Sequence, residues 1–127
     1  MFEITITTDF AAAHRLKNYN GACENLHGHN FIVEVSVVCE KLDDAYIAID
    51  FKLLKSMVAE IVDKLDHRYL NEIDYFDKTN PTSEMIAKYV FEQLKEKLKD
   101  RKENCKPSKV SVFESLKAKA TYFESNI

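Results

Sequence analysis

The side chains of this 127-residue chain most able to do chemistry are its four histidines and three cysteines, and they are unevenly spaced. His27 and His29 are separated by one residue, so an extended backbone projects both imidazoles to the same side. A strand offers two metal ligands at this spacing. His14 stands just past an alternating run, where an antiparallel partner could bring it beside them. Three neutral imidazoles with an open fourth position make a catalytic rather than a structural zinc site. A polar turn before a strand accounts for His-Gly-His equally well, so that pair alone decides nothing.

Cys23 lies four residues before His27 in a polar segment, and a nearby cation would favour its thiolate as a base or nucleophile. The same C-x3-H-x-H spacing could close a structural site with Cys23 as fourth ligand. Asp66 precedes His67, and a carboxylate beside an imidazole can fix its tautomer and support proton transfer. Neighbours on a helix point apart, so that pairing requires the helix to end first; a C-terminal cap is the alternative. Glu114 follows Val110 and Val112 in strand register, which turns it toward their apolar side. A buried carboxylate needs a partner, and two adjacent N–H donors on a heterocycle would satisfy it in a bidentate manner. A frayed strand end in water is the other reading.

The elements that must position these residues are legible from periodicity. Residues 2–10 alternate, with Phe2, Ile4, Ile6, Thr8 and Phe10 on one side, as a half-buried strand does. Polar and turn-forming residues over 15–28 predict a loop, and Phe31, Val33, Val35 and Val37 predict a second strand. From Asp50, a fitting N-cap, Phe51, Leu54, Val58, Ile61, Val62 and Leu65 recur at helical spacing. Residues 71–78 read as a loop. Asn80-Pro81 opens a second helix with proline at its first position, burying Ile86, Val90, Leu94 and Leu98. Residues 109–114 and 118–123 complete the order ββααββ. Short connections favour an antiparallel four-stranded sheet with both helices on one face, an α+β fold. The two exposed edges of so small a sheet favour pairing with further copies.

Composition bounds the rest. The length fits a single domain over 1–127. A net charge of −3 gives no general attraction to nucleic acid, and the basic residues of 95–109 are interleaved with Glu96, Asp100 and Glu103. No apolar run is long enough to span a membrane, and the N-terminus lacks the pattern of a signal peptide, so a cytoplasmic location is expected. An odd number of widely spaced cysteines, Cys23, Cys39 and Cys105, then favours reduced thiols.

Taken in order, several segments resemble the 6-pyruvoyl-tetrahydropterin synthase family, including its bacterial branch, 6-carboxy-tetrahydropterin synthase. They are Phe10-Ala11-Ala12-Ala13-His14-Arg15-Leu16, Cys23-Glu24-Asn25-Leu26-His27-Gly28-His29-Asn30, Ile49-Asp50-Phe51, Leu65-Asp66-His67-Arg68-Tyr69-Leu70-Asn71, Asn80-Pro81-Thr82-Ser83-Glu84 and Val112-Phe113-Glu114. The resemblance implies the tunnelling fold, assembled as a homohexamer with pockets between subunits. It implies Zn2+ on His14, His27 and His29, Cys23 as base with help from Asp66 and His67, and Glu114 anchoring a pterin ring. Thr82 would also contact the substrate, and Arg15 is a candidate for its triphosphate. The substrate implied is 7,8-dihydroneopterin triphosphate, and the bacterial branch makes 6-carboxy-5,6,7,8-tetrahydropterin from it. Two departures stand out. Ala45-Tyr46-Ile47 replaces a turn that usually carries glycine, and Glu24 adds E-x-x-H-G-H over C-x3-H-G-H. A third branch uses glutamate there to cleave dihydroneopterin to 6-hydroxymethyl-7,8-dihydropterin.

Overall fold

β1 (Phe2–His14) and β2 (His27–Cys39) form a long antiparallel ribbon in register from Phe2↔Cys39 to His14↔His27. The computed structural model describes residues 1–17 and 25–125. Alternation builds the ribbon: Ile6, Phe10, Ala12 and His14 of β1 are buried with Phe31, Val33, Val35 and Val37 of β2. Threonines and acids on the other side of β1 stay exposed.

α1 (Phe51–Asp63) begins at Asp50, whose carboxylate accepts from the Lys52 and Leu53 amides as an N-cap does. α2 (Ser83–Leu98) is capped by Thr82, whose hydroxyl accepts from Met85 N–H. Between them lie β3 (Arg68–Tyr69) and two 3₁₀ turns, Leu70–Glu72 and Asp74–Phe76. β4 (Cys105–Ser115) and β5 (Ala118–Tyr122) form the closing hairpin. The sheet order is β3-β1-β2-β4-β5, antiparallel except where β3 meets β1 in parallel. α1 packs on β1 and α2 on β4 and β5. Leu54, Val58, Ile61, Ile86, Val90, Leu94 and Leu98 thereby share one core with the inner face of the sheet. No helix is long and apolar enough to cross a membrane among the described residues.

The α+β arrangement and both apolar helix stripes follow the sequence pattern. Several boundaries do not. β1 runs on to His14 rather than ending at 10, because Ala11-Ala12-Ala13 carry no alternation but are held in the ladder by β2. β2 accordingly starts at His27, inside the expected loop. The sheet has five strands rather than four. Arg68–Tyr69 is too short to show a period and exists only because it lies along Ala12 and Ala13. Pro81 precedes the cap and does not open α2, since Thr82 offers a hydroxyl to the first turn.

The cysteines need a larger correction. Cys39 and Cys105 are joined in a disulfide rather than being reduced thiols. Their 66-residue separation hid a direct opposition across β2 and β4, where Cys39 pairs with Cys105. A Cα–Cα distance of 4.1 Å brings the two side chains together on the buried side of the sheet. Thiol titration of the denatured, unreduced protein should therefore find one reactive thiol of the three, and all three after reduction. Three reactive thiols before reduction would contradict the pairing.

Candidate active site

Three imidazoles meet at the end of the β1–β2 ribbon. His14 and His27 are direct partners across the ladder, and His29 lies two residues farther along β2 on the same side. One ring nitrogen from each falls within 4.8 Å of the other two. His14 is 1% exposed, and its Nδ1 donates to the Pro81 carbonyl at 2.7 Å. His27 Nδ1 donates to the Asn25 carbonyl at 2.7 Å. A carbonyl can only accept, so both Nδ1 atoms carry the proton and both Nε2 atoms present lone pairs.

Those Nε2 atoms stand 3.1 Å apart. With each proton already committed to Nδ1, neither has one to share, and two lone pairs face each other. The Nε2 of His29 is buried with no hydrogen-bond partner. Burial lowers the His14 pKa below its ordinary value, despite raising effects from Pro81 and Glu114, so an extra proton is not the remedy. A cation at the point where the nitrogens converge would satisfy them together. The donor set therefore fits a metal ion, with the His14 and His27 rings each oriented by a carbonyl as metal-binding histidines often are.

Asp66 and His67 are positioned by β1. Asp66 Oδ1 accepts from the Ala11 amide at 2.9 Å, while the His67 amide donates to the Ala11 carbonyl at 2.5 Å. Main chain and side chain thus grip one residue of β1 from both sides. α1 has ended by Asp63, and His67 adopts φ 57°, a left-handed conformation uncommon outside glycine. That twist frees neighbouring side chains to meet: His67 Nδ1 lies 3.0 Å from Asp66 Oδ2. The Ala11 N–H, followed by His67, holds the Asp66 carboxyl below its usual range. An ionised Asp66 accepting from Nδ1–H leaves Nε2 of the exposed His67 free to take or give a proton.

His67 and His29 line one open cavity of about 610 Å³, floored by Ala11, Ala13 and Gly28. That volume suits a small ligand. Glu114 projects beside the histidines, 3.6 Å from His14 Nε2 and 3.9 Å from His29 Nε2, and is 37% exposed. It does share the side of Val112, but at the open end of the sheet, so it is half-buried rather than enclosed. Thr82 follows the carbonyl that orients His14, and its hydroxyl is occupied in capping α2. Arg15 is exposed and does not line the cavity; its backbone amide and carbonyl pair with the Asn71 side chain. Cys23 and Glu24 lie outside the described residues. Sequence reasoning missed the orienting carbonyls of Asn25 and Pro81 and the clamp on Ala11. Main-chain groups leave no signal in residue type. Arg68 and Tyr69 also line the cavity, and both stand in the segment that carries Asp66-His67.

Comparison with known proteins places the chain in a family. A model of the family described as 6-pyruvoyl tetrahydropterin synthase matches residues 3–125. The chain is 39% identical over 92 residues to a 6-carboxy-5,6,7,8-tetrahydropterin synthase of Synechocystis, covering 68% of this chain and 70% of that protein. It is 33% identical over 117 residues to the Bacillus subtilis protein of the same name, covering 88% and 77% respectively. The solved structure of Caenorhabditis elegans 6-pyruvoyl tetrahydropterin synthase superposes with a TM-score of 0.84 at 31% identity, covering 98% of this chain and 96% of that one. On the family match over nearly its whole length, the chain belongs to the 6-pyruvoyl tetrahydropterin synthase family.

Proposed function

We propose that the protein is a zinc-dependent lyase that converts 7,8-dihydroneopterin triphosphate to 6-carboxy-5,6,7,8-tetrahydropterin, releasing acetaldehyde and triphosphate. The observation that carries this reading is the convergence of His14, His27 and His29, of which His29 lines one cavity together with His67. The Synechocystis and Bacillus subtilis relatives, both named for the 6-carboxy product, support the choice of reaction.

The three histidines would hold the zinc ion. When bound there, zinc would supply Lewis-acid polarisation of the oxygens on the pterin side chain. The remaining work falls to the chain's own groups. Cys23 is proposed as the base that takes the side-chain proton, and the presence of Glu24 next to it keeps the hydroxymethyl-forming cleavage as the second reading. His67, held by Asp66 through Nδ1, would take or give a proton at Nε2. Glu114 would receive the N–H edge of the ring in a bidentate manner. The assembly is proposed to be a homohexamer. β1 has no outer neighbour from Phe2 to Phe10 among the described residues, and Phe2 and Phe51 are exposed close to that edge.

A single product assay tests the reaction. Zinc-loaded protein incubated with 7,8-dihydroneopterin triphosphate should release acetaldehyde and form the 6-carboxy product. Retention of the three-carbon side chain would point to 6-pyruvoyl chemistry, the activity named for the Caenorhabditis elegans structure. Formation of 6-hydroxymethyl-7,8-dihydropterin from unphosphorylated dihydroneopterin, with no acetaldehyde from the triphosphate, would sink the leading reading in favour of the second.

A further inference from the structure

Glu114 occupies a break in the sheet. β4 pairs with β5 at Phe113↔Lys119 and next at Ser115↔Ala118, so Glu114 is skipped. On its other side the ladder with β2 ends at Ile32↔Phe113. An extra residue of this kind bends a strand and re-aims its side chain. Here it aims the carboxylate at the histidines: Oε1 lies 3.6 Å from His14 Nε2 and Oε2 lies 3.9 Å from His29 Nε2.

The charge pattern is the informative part. Nδ1 of His14 is committed to a carbonyl, and Nε2 of His29 has no hydrogen-bond partner. Among the described residues no hydrogen bond engages the Glu114 carboxylate either. Oε1 thus faces the His14 Nε2 lone pair across 3.6 Å, acceptor against acceptor, while Oε2 stands 3.9 Å from the unpartnered His29 Nε2. Something positive between them would resolve the conflict for all three groups. Zinc bonds of about 2.0–2.1 Å set tetrahedral donors roughly 3.3 Å apart. The observed separations of 3.1, 3.6 and 3.9 Å bracket that value.

We propose that Glu114 is the fourth protein donor of the metal site in the pterin-free protein and yields that position when substrate binds. This rests on the metal-site reading given above. The same carboxylate cannot close the metal and hold the pterin ring at once. Ring capture therefore draws Glu114 away and opens the coordination position that the side-chain oxygens need. The unpaired backbone at residue 114 lets the arm swing without breaking a ladder bond.

Cobalt(II) substitution tests the idea without reference to turnover, because its visible absorption reports coordination number. Wild-type cobalt protein should show the intense bands of a four-coordinate ion with protein donors. Glu114→Gln should weaken and shift those bands, and should raise the zinc Kd, measured by chelator competition, by about ten- to a hundredfold. Glu114→Asp, with a shorter arm, should fall between the two. Adding pterin without a side chain to the wild type should move its spectrum toward that of the Gln variant. A Gln variant with wild-type bands and wild-type zinc affinity would overturn the proposal, leaving the three-histidine site standing. A wild-type protein that takes up neither cobalt nor zinc would instead remove the metal reading on which it depends.

Discussion

Replacing His29 with alanine should strip the protein of bound zinc and lower kcat/KM about 10³-fold or more while the chain stays folded. His29 is the ligand with the least structural work to do: its ring is about a quarter exposed, and its Nε2 bonds to nothing in the protein. Losing it leaves the neighbouring Phe31 core intact. A bound metal contributes several kcal/mol of transition-state charge stabilisation, and each ~1.4 kcal/mol is tenfold in rate. Metal analysis of the dialysed variant, alongside acetaldehyde release, makes the measurement. His14→Ala should lose metal equally but also melt at a lower temperature, since it empties a fully buried position and orphans the Pro81 carbonyl. Wild-type zinc content in the His29 variant would show that the three nitrogens do not act as one site.

The second large effect should come from His67. His67→Ala is expected to lower kcat by about 10²–10⁴-fold, the usual range for a positioned general acid or base, with zinc content unchanged. Asp66→Asn isolates the orienting interaction. Its remaining oxygen can still accept from Ala11, so β1 keeps its clamp, but the amide nitrogen cannot accept from His67 Nδ1. The pH dependence has a defined sign. Asp66 is held below the ordinary carboxylate range by the Ala11 amide, so it stays ionised through neutrality and supports His67 there. Its support is lost only as pH falls through that lowered value. Stopped assays across the acid limb should show that loss in the wild type and not in the Asn variant. An Asn variant with wild-type rate and profile would demote the pair to a structural turn.

The parts of this molecule legible in the sequence are those written in local patterns. Alternation in β1 and β2, and helical spacing from Leu54 to Ile61 and from Ile86 to Leu98, predicted elements that exist and buried residues that are buried. The H-x-H spacing predicted two imidazoles on one side of a strand, because side-chain direction follows directly from backbone period. The Asp50 cap was readable for the same reason: it acts on amides two and three residues away. Recognition of separated motifs in order carried the family, and nothing in periodicity could have done so.

Pairing across distance was decided by the tertiary structure alone. Ala11-Ala12-Ala13 form a strand only because β2 bonds to them, and that extension delivers His14 to His27. Cys39 and Cys105 meet because of a register set by two strands 66 residues apart. Asp66 can hold His67 only after α1 has ended and φ has turned left-handed, a conformation in which Ala11 of β1 bonds both residues. Glu114 was marked as unusual by its register, but its approach to the histidines depends on a break in pairing with β5. Residue types thus determined which chemistry was available, since period and spacing are properties of the backbone within a few residues. The fold decided which groups face one another, since register arises from interactions that close only when distant strands meet.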